Sequence, residues 1–363
     1  MRKVLLSLLL IFLLLGCQGT SQAEALAPTA AATEAPTPVP TATPLPPTSA
    51  QTIIVSAAPV TATPTISPDA TLVATPSPTP TPSPTPEPTP FTMVWMSDTQ
   101  HMSRNNPDVF NTMRDWILNN REKENIQFVV HTGDVVDSIG TVMFENANNA
   151  LVPLFETLPG MIVSGNHDID PNNRQSLFYD RPYAKMTQTE GQIFQNGECA
   201  YQTFTAGGDE FLIIGLGYGM RETKVLNWVD SVIEEHPDAV VLFVMHYGLQ
   251  PENRYSPQAR ELYLSIVEKT PNARLLLCGH HDGILQHEDW IDDDGDGETD
   301  RCFYTLMFNV QDDTDEGLGY MRILTFYPED RHIEVKLYSP WYDQWIYPKA
   351  LPEENDFILE NAY

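Results

Sequence analysis

Positive charge is scarce in this chain: 20 Lys and Arg face 49 Asp and Glu, a formal net charge of −29 over 363 residues. A field of that sign excludes a nucleic-acid interface built on phosphate contacts, and it gathers cations, divalent metals among them. Cysteine is scarce too. Four residues cannot supply the dense disulfide framework of small secreted domains. Also missing is any apolar run of the roughly 18 residues or more that a membrane-spanning helix needs. The longest, Val4 to Leu15, is about a dozen residues and suits a signal segment instead.

That run follows Arg2-Lys3 and leads into Leu14-Leu15-Gly16-Cys17, which resembles a bacterial lipoprotein processing site. Residues 1–17 are therefore expected to be a signal peptide, with Cys17 as the lipidated N-terminus and the membrane anchor. A plain secretory signal is the other reading, and both put the mature protein outside the cytoplasm. Residues 18–90 are rich in Pro, Thr, Ala and Ser and close on Thr-Pro-Ser-Pro-Thr-Pro-Glu-Pro-Thr-Pro. With almost no aromatics they cannot bury a core, so they read as an extended tether holding the following domain clear of a surface.

Residues 91–350 carry nearly all the aromatics and read as one folded domain, with 351–363 as a C-terminal tail. Phe91–Ser97, Ile126–His131, Met161–Ser164, Phe211–Leu216, Ala239–Met245 and Arg274–Cys278 are strand-like apolar runs. Between them, Phe110, Met113, Trp116 and Ile117, a stretch from Phe144 to Leu154, and Val225, Val229, Val232 and Ile233 recur at helical spacing. Ser256-Pro257 signals another helix start. After Cys278 the pattern becomes alternating: Gly283–Trp290, Cys302–Val310, Gly319–Tyr327 and His332–Tyr338 predict antiparallel strands. The fold class expected is α/β, a two-sheet mixed β-sandwich flanked by helices. Cys199 and Cys302 form the one candidate disulfide, whereas Cys278, inside an apolar run, reads as a core residue.

Chemistry collects where these strands end. Met161–Ser164 stops in Gly165-Asn166-His167-Asp168, an amide, an imidazole and a carboxylate on a turn that glycine lets close tightly. Four other strands stop in Asp98, Asp134, His246 and His280. Ligand sites in open α/β sheets lie beyond the carboxyl ends of strands, so five such endings converge if the strands are neighbours. Mixed oxygen and imidazole donors suit Zn, Fe, Mn or Co better than Ca or Cu.

In this order, Asp98-Thr99-Gln100, Gly133-Asp134, Gly165-Asn166-His167-Asp168, His246 and Gly279-His280 resemble the calcineurin-like metallophosphoesterases, over about residues 91–340. The resemblance implies a two-sheet sandwich with the site at strand C-terminal ends and two divalent metal ions. Asp134 would bridge the ions; Asn166, His246 and His280 would complete one site, and Asp98 with its neighbours the other. Two positions depart from the family pattern, Gln100 for the His of Asp-x-His and Asp282 for the last His of Gly-His-x-His. Both fall on the same ion. That site is expected to be harder, with Asp98, Gln100, Asp134 and Asp282 as ligands, unless His101 or His281 rotates in.

The function this implies is extracytoplasmic hydrolysis of a phosphate mono- or diester of a small molecule or polymer. His167 is the expected general acid, with Asp168 orienting its ring. Arg174 is a candidate phosphate contact, Tyr247 a candidate cleft residue, and His131 a support for the ligands. From another class, the alternative is a tethered metal-binding module whose first site has decayed and which no longer turns over. A monomer is expected. Apart from these, Asp292 to Asp300 matches the opening positions of an EF-hand-type loop. It reads as an inter-strand calcium loop with Asp292, Asp294, Asp296 and Asp300 as ligands, although Phe303 stands where a bidentate Glu is usual.

Overall fold

The computed structural model describes residues 88–170, 178–312 and 319–363. Cys17, the Pro-rich tether up to residue 87 and Arg174 lie outside the described residues.

The chain enters on β1 (Phe91–Met96), whose residues are all buried. A short α1 (Gln100–Asn105) and α2 (Pro107–Asn120) lead to β2 (Ile126–His131), and α3 (Thr141–Phe155) leads to β3 (Gly160–Ile162). A strand buried on both faces needs cover on both, and right-handed strand–helix–strand units supply it on one side. Next come α4 (Pro182–Met186), β4 (Ile193–Phe194), β5 (Cys199–Ala206), β6 (Asp209–Leu216), α5 (Thr223–Glu235) and β7 (Val240–Met245). A small hairpin, β8 (Leu249–Gln250) with β9 (Arg254–Tyr255), precedes α6 (Pro257–Ser265) and β10 (Ala273–Cys278). The Ser256 hydroxyl accepts from the Ala259 amide and Pro257 opens the helix, so α6 starts where its capping residue predicts. β11 (Gly283–Ile291), β12 (Arg301–Asn309), β13 (Met321–Tyr327), β14 (His332–Tyr338), α7 (Pro352–Asn355) and β15 (Asp356–Leu359) complete the order.

These strands form two mixed sheets. One runs β15-β14-β13-β1-β2-β3 and the other β11-β12-β10-β7-β6-β5-β4. β1, β2 and β3 are parallel neighbours in the first; β6, β7 and β10 are parallel neighbours in the second. Between the sheets lies a core containing Phe91, Trp95, Phe128, Phe211, Leu277, Phe308 and Phe326. Two outer cores seat α2, α3 and α4 on the first sheet and α5 and α6 on the second. This is the two-sheet sandwich expected.

Three details differ from expectation. Cys199, Cys278 and Cys302 are all free and buried. Cys199 is on β5 and Cys302 on β12, with β6, β7 and β10 between them. At roughly 4.8 Å per strand the two are about 19 Å apart, far beyond disulfide reach. Residues 351–363 are no loose tail: β15 pairs antiparallel with β14, and Leu359, Ala362 and Tyr363 are buried in the core between the sheets. β5, which pairs with β6 in a hairpin, carries no strand signal in the sequence, because half of it is only partly buried and gives no clean apolar alternation.

Candidate metal centre

The carboxyl ends of β1, β2 and β3 in one sheet and of β7 and β10 in the other open on the same edge of the sandwich. Backbone bonds stitch the loops there: Asp98 N–H to the Gly133 carbonyl (3.1 Å), Val163 N–H to that of His131 (3.2 Å), and Gly279 N–H to that of His246 (2.9 Å). Asp98, Asp134 and His280 have positive φ angles of 51°, 52° and 78°. Non-glycine residues pay for that conformation in local strain, and such strain is usual where a turn must aim a side chain inward. Two glycines make room. A Cβ on Gly165 would collide with the Asp134 carboxylate and amide, and one on Gly279 with the Asp98 carboxylate and Ser97 Oγ.

One ligand set converges tightly. His246 Nε2 lies 3.2 Å from Asp134 Oδ2, 3.1 Å from Asn166 Oδ1 and 3.1 Å from His280 Nδ1. Its Nδ1 is 2.9 Å from the Thr132 carbonyl, an acceptor only, so Nδ1 carries the hydrogen and Nε2 of the neutral ring presents a lone pair. That lone pair faces two oxygens and another imidazole nitrogen. With His280 as its Nε2–H tautomer, four acceptors meet at this spacing, and a cation, a proton or a metal, reconciles them. Without metal it is a proton: burial opposes charge on His246, but the carboxylates of Asp134 and Asp98 raise it to about 9. Burial and the His246 charge push His280 down to about 3. One carboxylate oxygen, one amide oxygen and two imidazoles fit a first-row divalent ion, and the Thr132 carbonyl is the outer partner that fixes the ligand tautomer.

The expected second set is arranged differently. Asp98 is buried, and burial pushes its carboxyl up to about 7. It ends a hydroxyl relay: Trp95 Nε1 donates to Thr132 Oγ1 (3.1 Å), Thr132 to Ser97 Oγ, and Ser97 to Asp98 Oδ2. The His280 amide donates to the same carboxylate at 3.2 and 3.3 Å. Gln100 is buried, and one end of its carboxamide faces the Asp98 carbonyl (3.0 Å), the Asp134 carbonyl (2.8 Å) and Gln311 Oε1 (2.8 Å). Three acceptors require nitrogen there, which turns the Gln100 oxygen to Gln311 Nε2 at 3.0 Å. Asp282 is exposed and lies outside the cluster. It lines a cavity of about 330 Å³ with Asn309, Tyr347 and Lys349, and its carboxyl is raised by burial and by Asp312. The structure thus places the expected ligand Asp282 in that cavity, at the entry to β11. His281 packs edge-to-face with Tyr247 (5.2 Å between ring centroids), and His101 turns to Asp137 (3.9 Å).

His167 is half-buried beside the cluster, its amide donating to Asp134 Oδ1 at 2.9 Å. The residue expected to orient it does something else. Asp168 is buried and accepts the amides of Gly165 (2.8 Å), Val135 (3.1 Å) and Val136 (3.1 Å), tying the two ligand-bearing turns together. Burial and the nearby Asp134 charge raise its carboxyl to about 7. The His167 ring rests instead on Asp137, with Nδ1 2.8 Å from the carbonyl oxygen and 3.6 Å from the carboxylate. Arg104 holds that carboxylate at 2.6 Å.

The sequence profile of calcineurin-like phosphoesterases matches residues 91–281, more than half of the chain. The chain belongs to that family. It is also 28% identical over 257 residues to the uncharacterized protein YvnB of Bacillus subtilis strain 168, covering 69% of this chain and 20% of YvnB. The chain thus spans about a fifth of the length of the curated relative it matches. Among solved structures it is similar to GAP50, the anchor in the inner membrane complex of Plasmodium, at 14% identity and a TM-score of 0.46, with 71% of this chain and 87% of that one covered. TT1561 of Thermus thermophilus gives 14% identity and a TM-score of 0.39 over 68% and 98% of the respective chains.

The family's order of motifs led to Asp98, Asp134, Asn166, His246 and His280, all of which the phosphoesterase fold brings to one edge. Three neighbours escaped sequence reading. Asp137 and Gln311 sit in loops without a motif, and Tyr218, at the end of β6, approaches His246 and His280 with ring centroids 6.0 Å away. His131, expected in support, is buried: its Nε2 meets Thr99 Oγ1 (3.0 Å) and its Nδ1 accepts the Gly133 amide (3.2 Å). The acidic stretch forms the loop joining β11 and β12. Oxygens of Asp292, Asp294 and Asp300 lie within 4.8 Å of one another, without Asp296. The loop's own amides already use those oxygens, Gly295 and Gly297 on Asp292 and Asp293 on Asp300. Among the described residues, no helix is long and apolar enough to cross a membrane.

Proposed function

We propose that this phosphoesterase hydrolyses a phosphate mono- or diester outside the cytoplasm, at a metal centre built on Asp134, Asn166, His246 and His280. The observation that carries this reading is the His246 Nε2 lone pair facing three further acceptors within 3.2 Å. A divalent ion held there by these four residues would polarise a phosphoryl oxygen and activate water as a nucleophile near neutral pH. The protein's own residues do the rest. His167 Nδ1–H is committed to the Asp137 carbonyl, so a general acid here is the imidazolium, which gives its Nε2 proton to the leaving alkoxide and is left as the neutral Nδ1–H ring. The Asp134 carboxylate accepts the His167 amide and so fixes the spacing between acid and ligands. Tyr218 and Tyr247 pack against the imidazoles and hold their planes. The Asn309 amide donates to the His280 carbonyl (3.2 Å), so the cavity with Lys349 adjoins the centre and offers the substrate a cation in an acidic protein.

The Val4–Leu15 run with Cys17 supports a cell-surface, lipid-anchored location, and the tether supports reach from it. A purified chain is expected to cleave an aryl phosphomonoester or a bis-aryl phosphodiester with Mn, Fe, Zn or Mg, and to lose that turnover to a chelator. No metal-dependent turnover of either ester would defeat the reading. It would favour the second one, a metal-binding surface module, which the Gln100–Gln311 contact and the outward Asp282 support.

A further inference from the structure

We propose that this centre takes a single divalent cation, at Asp134, Asn166, His246 and His280, and that the neighbouring place is closed by a carboxamide pair, Gln100 with Gln311. The proposal rests on the metal-dependent reading above and sharpens it.

Three observations meet here. Gln100 is 1% exposed and anchored at both ends of its amide. Its nitrogen is given to two main-chain carbonyls and to Gln311 Oε1, and its oxygen lies against the Gln311 carboxamide, with Nε2 at 3.0 Å, so the Gln311 side chain occupies the space through which a cation would reach that oxygen. Second, the Asp98 carboxylate is engaged by the Ser97 hydroxyl and the His280 amide, and Gly279 packs against it where no side chain fits. Third, Asp282 faces Lys349 and Asp312 rather than Asp98. A second cation would have to break the amide pair, strip Asp98 of its donors and do so without an imidazole. The first set asks for none of this. With one cation, stabilising the leaving oxygen falls to His167, whereas a second ion would otherwise share that task.

The test uses the full chain carrying Asp292→Ala and Asp294→Ala, so that the acidic loop adds no ion. After chelation and gel filtration, Mn(II) and Zn(II) are titrated by calorimetry, bound metal is counted by elemental analysis, and the Mn form is examined by electron paramagnetic resonance. One equivalent per chain and the spectrum of an isolated ion are expected. Two equivalents with an exchange-coupled spectrum would overturn the proposal while leaving the hydrolase reading intact. No bound metal would overturn both. Adding Gln100→His with Gln311→Ala is expected to admit a second, coupled ion; a variant that still takes one would show that the amide pair is not what closes the place.

Discussion

The imidazole of His167 leans on Asp137: Nδ1 lies 2.8 Å from the Asp137 carbonyl oxygen, not on the carboxylate of Asp168 that follows it in sequence. Because that acceptor is main chain, Asp137→Ala keeps the bond and loses the carboxylate at 3.6 Å with its contacts to Arg104 and His101. We expect His167→Ala to lower kcat on an alkyl phosphodiester by roughly 10²–10⁴, and Asp137→Ala to cost far less. The losses should shrink on an aryl ester, whose leaving group needs little protonation. Equal losses on both esters would remove the acid from the mechanism.

Asp168 belongs to the structure. Its carboxylate takes three buried amides from two turns, and leaving such donors unpaired costs about 1–3 kcal/mol each. Asp168→Ala should therefore lower the unfolding free energy by several kcal/mol, read by urea denaturation, and weaken metal binding because Asp134 loses its support. A variant of unchanged stability and low kcat would restore the catalytic role that its place in the sequence suggested.

Gly165 admits the Asp134 side chain where a Cβ would stand. Gly165→Ala forces the carboxylate or the turn to move, an overpacking cost of about 1–3 kcal/mol. It should also lower metal affinity, by about tenfold or more if the first ligand shifts. Gly191 is the control. It has open space around its Cβ position, although its positive φ of 89° makes Gly191→Ala mildly destabilising on its own. Metal affinity should be unchanged there.

These contrasts mark what the chain discloses. Strands buried on both faces stand out as unbroken apolar runs, so β1, β2, β7 and β10 could be read, and with them the ligands at their ends. A strand end fixes where a side chain begins, not where it points. His167 and Asp168 adjoin in sequence but face different neighbours, because the turn sends one to Asp137 and buries the other under the Val135 and Val136 amides. Asp282 holds a family position by count, and in the structure it lines the cavity with Tyr347 and Lys349. Gln311 reaches Gln100 from a loop more than 200 positions later, a juxtaposition set by the packing of the two sheets.

Metal affinity should rise with pH. His246 without metal carries its proton up to about 9, against an ordinary value of 6.5, because Asp134 and Asp98 outweigh burial. The raised value means that this proton stabilises the metal-free fold below about 6.5 and that the benefit is lost as pH climbs through about 9. A metal at Nε2 must displace the same proton, so its affinity should gain about tenfold per pH unit in that window. The increase in Tm on adding Zn(II) or Mn(II) is thus expected to be larger at about pH 8.5 than at about pH 6.5. A metal effect independent of pH would mean that Nε2 is not a ligand.

Tyr363 shows why the last residues are part of the fold. Its ring packs on Phe211 and Phe326, with centroids 5.6 and 5.4 Å away, and the Arg331 guanidinium lies over it at 5.2 Å. Nearby, the Ala362 amide donates to the Arg331 carbonyl (2.6 Å) and Tyr304 Oη to that of Glu360 (2.9 Å). The Tyr363 hydroxyl is buried and has no hydrogen-bond partner among the described residues. Ring and hydroxyl should therefore act in opposite directions. Tyr363→Ala opens a cavity between the sheets and should cost about 3–5 kcal/mol, whereas Tyr363→Phe removes an unpaired polar atom and should leave stability equal or raise it by about 1 kcal/mol. Urea denaturation of both variants separates the two effects. If Tyr363→Phe destabilised as much as Tyr363→Ala, the hydroxyl would have a partner, and the anchoring of β15 would rest on that bond rather than on the ring.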